Sequence, residues 1–247
     1  MTVADVTAVV LTRDEERNLP RALTSLPKGM PVLVLDACSS DRTVEFARGA
    51  GARVVERPWT DYLDARRFAL QRVETPWALM LDADEALDDE LRDALTACSF
   101  DADAYEVSRT TYFCGKPMRL WTREPLLRIL RVGRIEIEAR PAAGGDAALH
   151  ERWRCEGRVE SLPGTLLHFS YPDVASYRAK YERYTGLEAA ALRPSWWRLL
   201  RSIPVAAFAF ARSLLVRGAL LDGPRGVYVA WRSALYPCVV AWKALSA

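Results

Sequence analysis

The chain has 247 residues, half of them hydrophobic and 27% charged, with 34 Lys and Arg against 32 Asp and Glu and a net charge of +2. That is one good-sized domain with attachments, too apolar and too nearly neutral for a disordered polymer, and without the Gly or Pro bias of collagenous or low-complexity sequence. The five cysteines, Cys38, Cys98, Cys114, Cys155 and Cys238, form no C-x-x-C pair and are odd in number, which predicts a reducing compartment. The opening MTVADVTAVVLTRDEE has neither the basic nor the apolar region of a signal peptide, so no export is expected.

Four short runs rich in Val and Leu, Val6 to Thr12, Pro31 to Asp36, Ala52 to Glu56 and Trp77 to Asp82, have the composition of strands buried on both faces. Helical spacing fills the intervals, over Glu16 to Leu26, Asp41 to Gly49 and Asp61 to Val73. Pro20 sits where an early helical turn tolerates it, and the Ser39-Ser40 pair can cap the second helix. Strand and helix in alternation predict an α/β fold with a parallel sheet covered on both faces, right-handed crossovers, and a ligand site at the carboxyl ends of the strands. After a further helix at 88–97 the segments become shorter and more polar. Tyr105 to Phe113 and Ile135 to Glu138 alternate as half-exposed strands do, and Pro141 to Asp146 (PAAGGD) reads as a mobile loop. This half is expected to shape a second substrate site.

From 173 onward the chain reads as helices, at 173–192, 195–217 and 224–245, broken at Pro194 and at Asp222-Gly223-Pro224. Residues 175–247 hold eleven Lys and Arg against three Asp and Glu, a net of +8, and the first 174 residues carry −6. A mildly acidic body with a basic tail points to a surface that meets anionic lipid or another polyanion; the alternative is a solvated helical face. The longest uncharged runs, Ile203 to Ala211 and Ser233 to Trp242, are too short to span a bilayer. Trp196, Trp197, Phe208, Phe210, Tyr228, Trp231, Tyr236 and Trp242, interleaved with arginines, suit helices lying at headgroup level, or else pack on the body or a partner subunit.

The sharpest chemical signal is Leu79-Met80-Leu81-Asp82-Ala83-Asp84. Two carboxylates at i and i+2 at the end of an apolar strand point the same way and can share one hard cation. Asp101-Ala102-Asp103 repeats the tripeptide with no apolar strand before it and reads as a solvated strand start. Polar, turn-forming loops follow the first strand (Thr12-Arg13-Asp14-Glu15-Glu16) and the second (Asp36 to Asp41), so three loops converge on one edge. Asp36 can accept hydrogen bonds from a base or from sugar hydroxyls, and Asp41 is as readily a plain helix cap. Arg66 and Arg67, after Trp59 and Tyr62, either neutralise phosphate or form a solvated helix face.

These segments together, VVLTRDEERNLPRALTSL, VLVLDACSSDRTVEFAR, RPWTDYLDARRFAL and WALMLDADE, resemble family-2 glycosyltransferases of the GT-A fold. Tyr112 to Lys116, Leu127 to Arg131, His150-Glu151, Leu167 to Tyr171 and Arg217 to Gly223 look like the lipopolysaccharide-core glucosyltransferase branch, so the resemblance covers nearly the whole chain. It departs at Ala37 to Asp41, where the branch usually has a Gly-Ser-Thr-Asp type of turn, and at Arg66, where it often has Gln. The resemblance implies a GT-A domain at 1–172, divided into a nucleotide-sugar-binding half (1–100) and an acceptor half (101–172), followed by a helical extension at 173–247. It implies that Thr12, Arg13, Glu15, Asp36, Arg66, Asp82 and Asp84 bind the nucleotide sugar. It also implies that Mg²⁺ or Mn²⁺ sits on the D-x-D pair, with Asp84 as the direct ligand and Asp82 beside it.

Inverting transfer needs a base on the acceptor hydroxyl and stabilisation of the departing diphosphate. Glu151 is the expected base, with His150 orienting it; the alternative is a surface charge paired with Arg152 or Arg154. His168 either completes the metal shell or is structural. The expected activity is transfer of a hexose, glucose from UDP-glucose, to a cell-envelope glycolipid such as lipopolysaccharide core, by a cytoplasmic enzyme peripheral on the inner face of the membrane. The competing readings are a polyprenyl phosphate or protein acceptor, and a non-catalytic membrane or polyanion adaptor. Nucleotidyl transfer is disfavoured because Thr12 to Asn18 contains no glycine. Nucleic-acid binding is disfavoured because the basic excess is spread along apolar helices.

Overall fold

The computed structural model describes residues 1–139 and 151–246, and the side chains of residues 122–124, 139, 151 and 152 fall outside that description. Among the described residues the chain forms two compact units. Of the described residues, one comprises 1–109, 123–139 and 151–169, and the other 110–122 and 170–246.

In the first unit, β1 (Val6–Thr12) is flanked in parallel by β2 (Val32–Asp36) and β4 (Trp77–Asp82), with β3 (Arg53–Glu56) parallel outside β2. These are the four runs expected from composition, each matched to within a residue. Alternation along them feeds two cores. Val6, Ala8, Val10, Leu79 and Leu81 pack on one face with Leu19 and Ala22 of α1 (Leu19–Ser25), Ala47 of α2 (Thr43–Gly49) and Leu91 and Leu95 of α4 (Asp89–Ala97). Val9, Leu33, Leu35, Ala78 and Met80 pack on the other with Ala65 and Ala69 of α3 (Tyr62–Leu70). A period of two on a strand covered on both faces reads in sequence as one continuous apolar run.

The sheet is mixed, and its β3, β2, β1 and β4 stretch is parallel with helices on both faces, in keeping with the expected mainly parallel, Rossmann-like α/β fold. Its order is β3-β2-β1-β4-β7-β6-β10-β5, where β5 is Glu85–Leu87, β6 Ala104–Phe113, β7 Lys116–Arg131 and β10 Val159–Tyr171. The pairs β4–β7 and β5–β10 are antiparallel. A separate antiparallel ribbon joins β8 (Ile135–Ala139) to β9 (Glu151–Cys155). The PAAGGD loop expected between them lies outside the described residues.

Two helix starts differ from expectation for one reason. Ser39 and Ser40 do not cap α2: the Ser39 hydroxyl and amide donate to Asp36, and Ser40 donates to Asp14. The first turn is held by Asp41, whose Oδ1 accepts from the Thr43 amide at 2.9 Å. Asp41 Oδ2 also accepts the Glu16 amide at 3.1 Å, which helps keep residues 16–18 out of α1. Desolvation is the largest single influence on the Asp41 carboxylate and raises its pKa, but the hydrogen bonds together, led by those from Thr43, outweigh it and lower the pKa. Asp103 is likewise more than a solvated strand start, since its Oδ2 accepts the Arg158 amide at 3.0 Å.

The second unit gathers α5 (Val174–Ala190), α6 (Trp196–Leu215) and α7 (Gly223–Ser246) around the tip of the β6–β7 hairpin. That tip turns through Cys114 and Gly115, both left-handed (φ 50° and 73°), as a two-residue hairpin turn requires. Phe113, Met118 and Leu120 enter one core with Tyr177, Tyr181, Ala219, Val229 and Ala230. The Arg217 to Gly223 stretch locks this arrangement: the Asp222 carboxylate accepts the amides of Arg119 (2.9 Å) and Leu120 (3.1 Å). Arg225 Nη1 donates to the Phe113 carbonyl at 3.0 Å. Gly226 is required by close approach, because a Cβ there would collide with the Ala219 carbonyl oxygen.

Among the described residues no single helix is long and apolar enough to cross a membrane; Trp196–Leu215 and Ala219–Ser246 reach that length and composition only as a pair bent by 68°.

Candidate active site

Strand register sets the site. Thr12 pairs with Asp36 across β1–β2, and Leu11 pairs with Asp82 across β1–β4, so Thr12, Asp36 and Asp82 end at one sheet edge. Asp36 is completely buried. Its Oδ1 accepts the hydroxyls of Thr12 (2.9 Å) and Ser39 (2.5 Å), and its Oδ2 accepts the Ser39 amide (2.7 Å). Asp36 therefore fixes the two loops to each other. Further zipping comes from the Asp14 amide on Ser39 Oγ (2.8 Å) and the Glu15 amide on Thr43 Oγ1 (2.8 Å). Glu15 also accepts from Asn18 Nδ2 (2.8 Å), and Arg13 is exposed beside them.

Next to these loops is a shallow cleft of about 10 Å³, whose walls include Leu11, Leu35, Ala37, Pro58 and Trp59. Trp59 and Tyr62 stand edge to face with centroids 4.7 Å apart. This is a flat apolar seat at the rim of the β1 and β2 loops.

Asp82 closes β4 inside a cluster of charges. Its Oδ1 accepts from Arg66 Nη2 at 3.0 Å and its Oδ2 from Arg128 Nη2 at 3.1 Å. Arg128 also reaches Glu85 Oε1 at 2.6 Å, Arg109 lies 3.7 Å from the same oxygen, and Glu85 Oε2 accepts the Asp82 amide at 3.1 Å. Burial alone would raise the Asp82 pKa, but Arg128 and then Arg66 outweigh it and hold the carboxyl well below the usual carboxylate range. Burial raises the pKa of Glu85, helped by the Asp82 charge and opposed by Arg128. Arg128, caught between two carboxylates, is driven above its ordinary value despite its own burial. Arg66 is thus buried and paired with Asp82 rather than lying on a solvated helix face, and Arg67 donates to the Ile137 carbonyl (2.9 Å).

The two aspartates of the D-x-D pair consequently do different work. Both Asp82 oxygens are taken by arginines. Asp84 lies two residues on, in the turn before β5, its side chain partly exposed and its Oδ2 3.3 Å from His168 Nε2. Antiparallel pairing of β5 with β10 sets His168 opposite Glu85, and the Phe169 amide donates to the Asp84 carbonyl (2.8 Å). Arg21 stacks on the Phe169 ring at 3.6 Å and feels the Asp84 charge. Among the described residues no group of three or more His, Cys, Asp or Glu is gathered to hold a cation. One carboxylate and one imidazole nevertheless suit Mg²⁺ or Mn²⁺ in a nucleotide site, where substrate phosphates supply much of the shell. Glu151 begins β9, but its side chain lies outside the described residues, as does all of His150.

Sequence reasoning did not single out Glu85, Arg109 or Arg128. Their signal is a charged residue set among apolar strand positions, as in EAL and LLRILR. Such residues are rarely buried unless paired.

Residues 7–152 match the family described as glycosyl transferase family 2. The lipopolysaccharide core biosynthesis glycosyltransferase LpsC of Rhizobium meliloti (strain 1021) is 27% identical over 256 residues, covering 96% of this chain and 91% of LpsC. An uncharacterized glycosyltransferase of Rickettsia bellii (strain RML369-C) is 36% identical over 91 residues, 36% of this chain and 31% of that protein. Among solved structures, the mannosyltransferase PcManGT from Pyrobaculum calidifontis, in complex with GDP-Man and Mn²⁺, superposes with a TM-score of 0.53 at 16% identity, covering 98% of this chain and 87% of that one. That likeness establishes the GT-A fold. With more than half of its length matched, the chain belongs to glycosyl transferase family 2 and is an enzyme that takes a sugar from a nucleotide-sugar donor.

Proposed function

We propose that this enzyme moves a hexose from UDP-glucose onto a cell-envelope glycolipid of the lipopolysaccharide-core class, with inversion and with dependence on Mg²⁺ or Mn²⁺. The observation that carries the reading is the reach of the similarity to LpsC, which extends over 96% of the chain and so takes in the helical unit as well as the sheet. Transferases of one fold diverge in the parts that receive the acceptor, so similarity there favours a related acceptor.

In this reading Asp84 and His168 would hold the metal that accompanies the donor diphosphate. The bound cation supplies Lewis-acid stabilisation of the charge that develops on the leaving diphosphate. Arg66 and Arg128 keep Asp82 ionised and immobile, and Glu85 ties down the Asp82 amide, so the turn carrying Asp84 is fixed before donor arrives. The base rests on the exposed face of Trp59 at the cleft rim, and Asp36, with Thr12 and Ser39, holds the loops that meet the ribose; Arg13 and Glu15 stand on the first of them. Glu151 takes the proton from the acceptor hydroxyl.

Calorimetric titration with a panel of nucleoside diphosphate sugars, with Mn²⁺ and with chelator, tests the donor. UDP-glucose is expected to bind only with metal present. Equal binding in chelator would overturn the metal assignment, and preference for another donor would overturn the choice of sugar.

The helical unit rests on the inner membrane surface. On α6 the small residues Ser202, Ala206 and Ser213 face inward, while Trp196, Trp197, Ile203 and Phe208 are 55–71% exposed. Large apolar side chains outside and small ones inside invert the pattern of a helix surrounded by water. Exposed Arg198, Arg201, Arg212 and Arg217 provide attraction to anionic headgroups. Vesicles containing phosphatidylglycerol are expected to carry the protein upward in a flotation gradient. Replacing Trp196, Trp197, Ile203 and Phe208 together by Ser should cut that fraction about tenfold. These substitutions are a cleaner test than deleting the helices, because deletion would strip the core around Phe113. Flotation unchanged by the substitutions would sink the proposal, as would a wild-type dimer that the substitutions dissociate.

A further inference from the structure

The helical unit also contains a cavity that the transfer step described above does not use. It measures about 330 Å³, within the range of about 300–1,000 Å³ typical of small-ligand sites. Its walls are aromatic: Trp121 from β7, Tyr171 at the end of β10, Tyr177, Tyr181 and Tyr184 from α5, and Tyr236 from α7. Packing accounts for part of this, since Tyr177 and Tyr181 are each 5% exposed and meet Tyr171 and Tyr236 edge to face.

Packing does not account for Lys180, which also lines the cavity. Its ammonium donates to Ser170 Oγ (3.0 Å) and to the Ser170 carbonyl (3.3 Å), both neutral, and stands 5.2 Å from the centre of the Tyr171 ring. Among the described residues no carboxylate lies within 4.0 Å of it. The two carboxylates of α5 are engaged elsewhere, Glu182 with Lys243 (2.7 Å) and Arg232 (3.3 Å), and Glu188 with the Tyr236 hydroxyl (2.7 Å). A second polar feature comes from Pro237 inside α7. Having no N–H, it leaves the carbonyl of Ser233 without its helical donor, and both residues are on the cavity wall.

We propose that this cavity binds an acidic pyranose, a sugar ring bearing a carboxylate or a phosphate. Ring faces of negative quadrupole receive the positively polarised C–H faces of the sugar, the Lys180 ammonium receives the anionic group, and the Ser233 carbonyl accepts a hydroxyl. A quaternary ammonium ligand, the other occupant that aromatic walls favour, is opposed by the cation already seated on Tyr171. As the anionic part of an acceptor glycolipid, this sugar extends the proposed function and rests on it to that extent; the binding itself does not depend on which sugar is transferred.

The test uses the full chain with its donor site saturated by UDP and Mn²⁺, and reads binding of methyl glucuronide, glucose 6-phosphate, glucose and inorganic phosphate by saturation-transfer NMR. Both acidic sugars are expected to bind about tenfold tighter than either glucose or phosphate. Lys180→Met should erase that advantage and Lys180→Arg should retain most of it, with UDP affinity unchanged in both. Glucose binding as well as the acidic sugars, phosphate binding as well as glucose 6-phosphate, or an unaltered preference in Lys180→Met would each overturn the proposal. Should Lys180→Met fail to fold, Tyr184→Ala removes one partly exposed wall instead; acidic-sugar binding unchanged in that variant overturns it equally. Failure of UDP to bind at all would count against the donor reading and leave the cavity measurement intact.

Discussion

Replacing Asp84 by Asn is expected to lower transfer about 10³-fold, the equivalent of roughly 4 kcal/mol of transition-state stabilisation, while the melting temperature moves by no more than about 2 °C. The fold should tolerate the change because the backbone contact from the Phe169 amide stays in place and the side chain is partly exposed beside His168. An amide is nearly the shape of a carboxylate, so what is lost is the charge. Asp82 cannot take over, since both of its oxygens are held by arginines. Metal-dependent binding of UDP should fall in parallel with turnover. Glu151→Gln provides the contrast, with turnover lost and donor binding kept. Retained turnover in Asp84→Asn would remove Asp84 from the metal site, and loss of donor binding in Glu151→Gln would assign that residue to structure.

The parallel half of the fold was legible because each of its strands is a local, continuous apolar run that ends in a polar loop. Val6 to Thr12 and Trp77 to Asp82 needed no knowledge of their neighbours. In the antiparallel half, alternation marked Ala104–Phe113 and Ile135–Ala139 to within a residue, whereas the two longest strands were opaque for the opposite reason. The strand Lys116–Arg131 contains Pro117 and Pro125, and Val159–Tyr171 contains Pro163 and a left-handed Gly164, so breaker residues mask both strands. Gly164 is there because any Cβ would strike the Leu91 backbone, a neighbour 73 positions away. The site divides in the same way. Asp84 could be read from its tripeptide, and His168 only from its residue type, because its place beside Asp84 depends on the register of β5 against β10. Arg128 reaches Asp82 through the pairing of Leu79 with Ile129, a register that no local pattern encodes. Asp36 shows a further limit: a carboxylate at a strand end reads as a ligand, and no local pattern tells that it is also buried and joins two loops through Thr12 and Ser39.

Arg128→Met should cost about 3–5 kcal/mol of folding stability, the largest single loss expected in this protein. Methionine fills a similar volume, so the cost arises from what it leaves behind. Glu85 would remain buried, and Asp82 half-buried, with their nearest shared cation gone, and Arg109, 3.7 Å from Glu85, cannot replace contacts of 2.6 and 3.1 Å. Two further measurements separate this cause from ordinary loss of packing. Without Arg128 both carboxyls should have folded pKa values above their unfolded ones. A group raised in that way contributes its stability below the unfolded value and loses it as pH rises through the folded one, so the deficit against wild type should shrink between about pH 8 and about pH 5. In the wild type Asp82 has the opposite sign, its lowered pKa giving stability that is lost only on acidification. Adding Glu85→Gln to Arg128→Met removes one of the orphaned charges and should restore about half of the loss, a coupling that independent sites would not show. Urea unfolding of the wild type, the two single variants and the double variant across that pH range decides the matter. A deficit independent of pH, or losses that simply add, would mean that Arg128 stabilises the sheet by its bulk and that the ionisation of Asp82 is maintained by Arg66 alone.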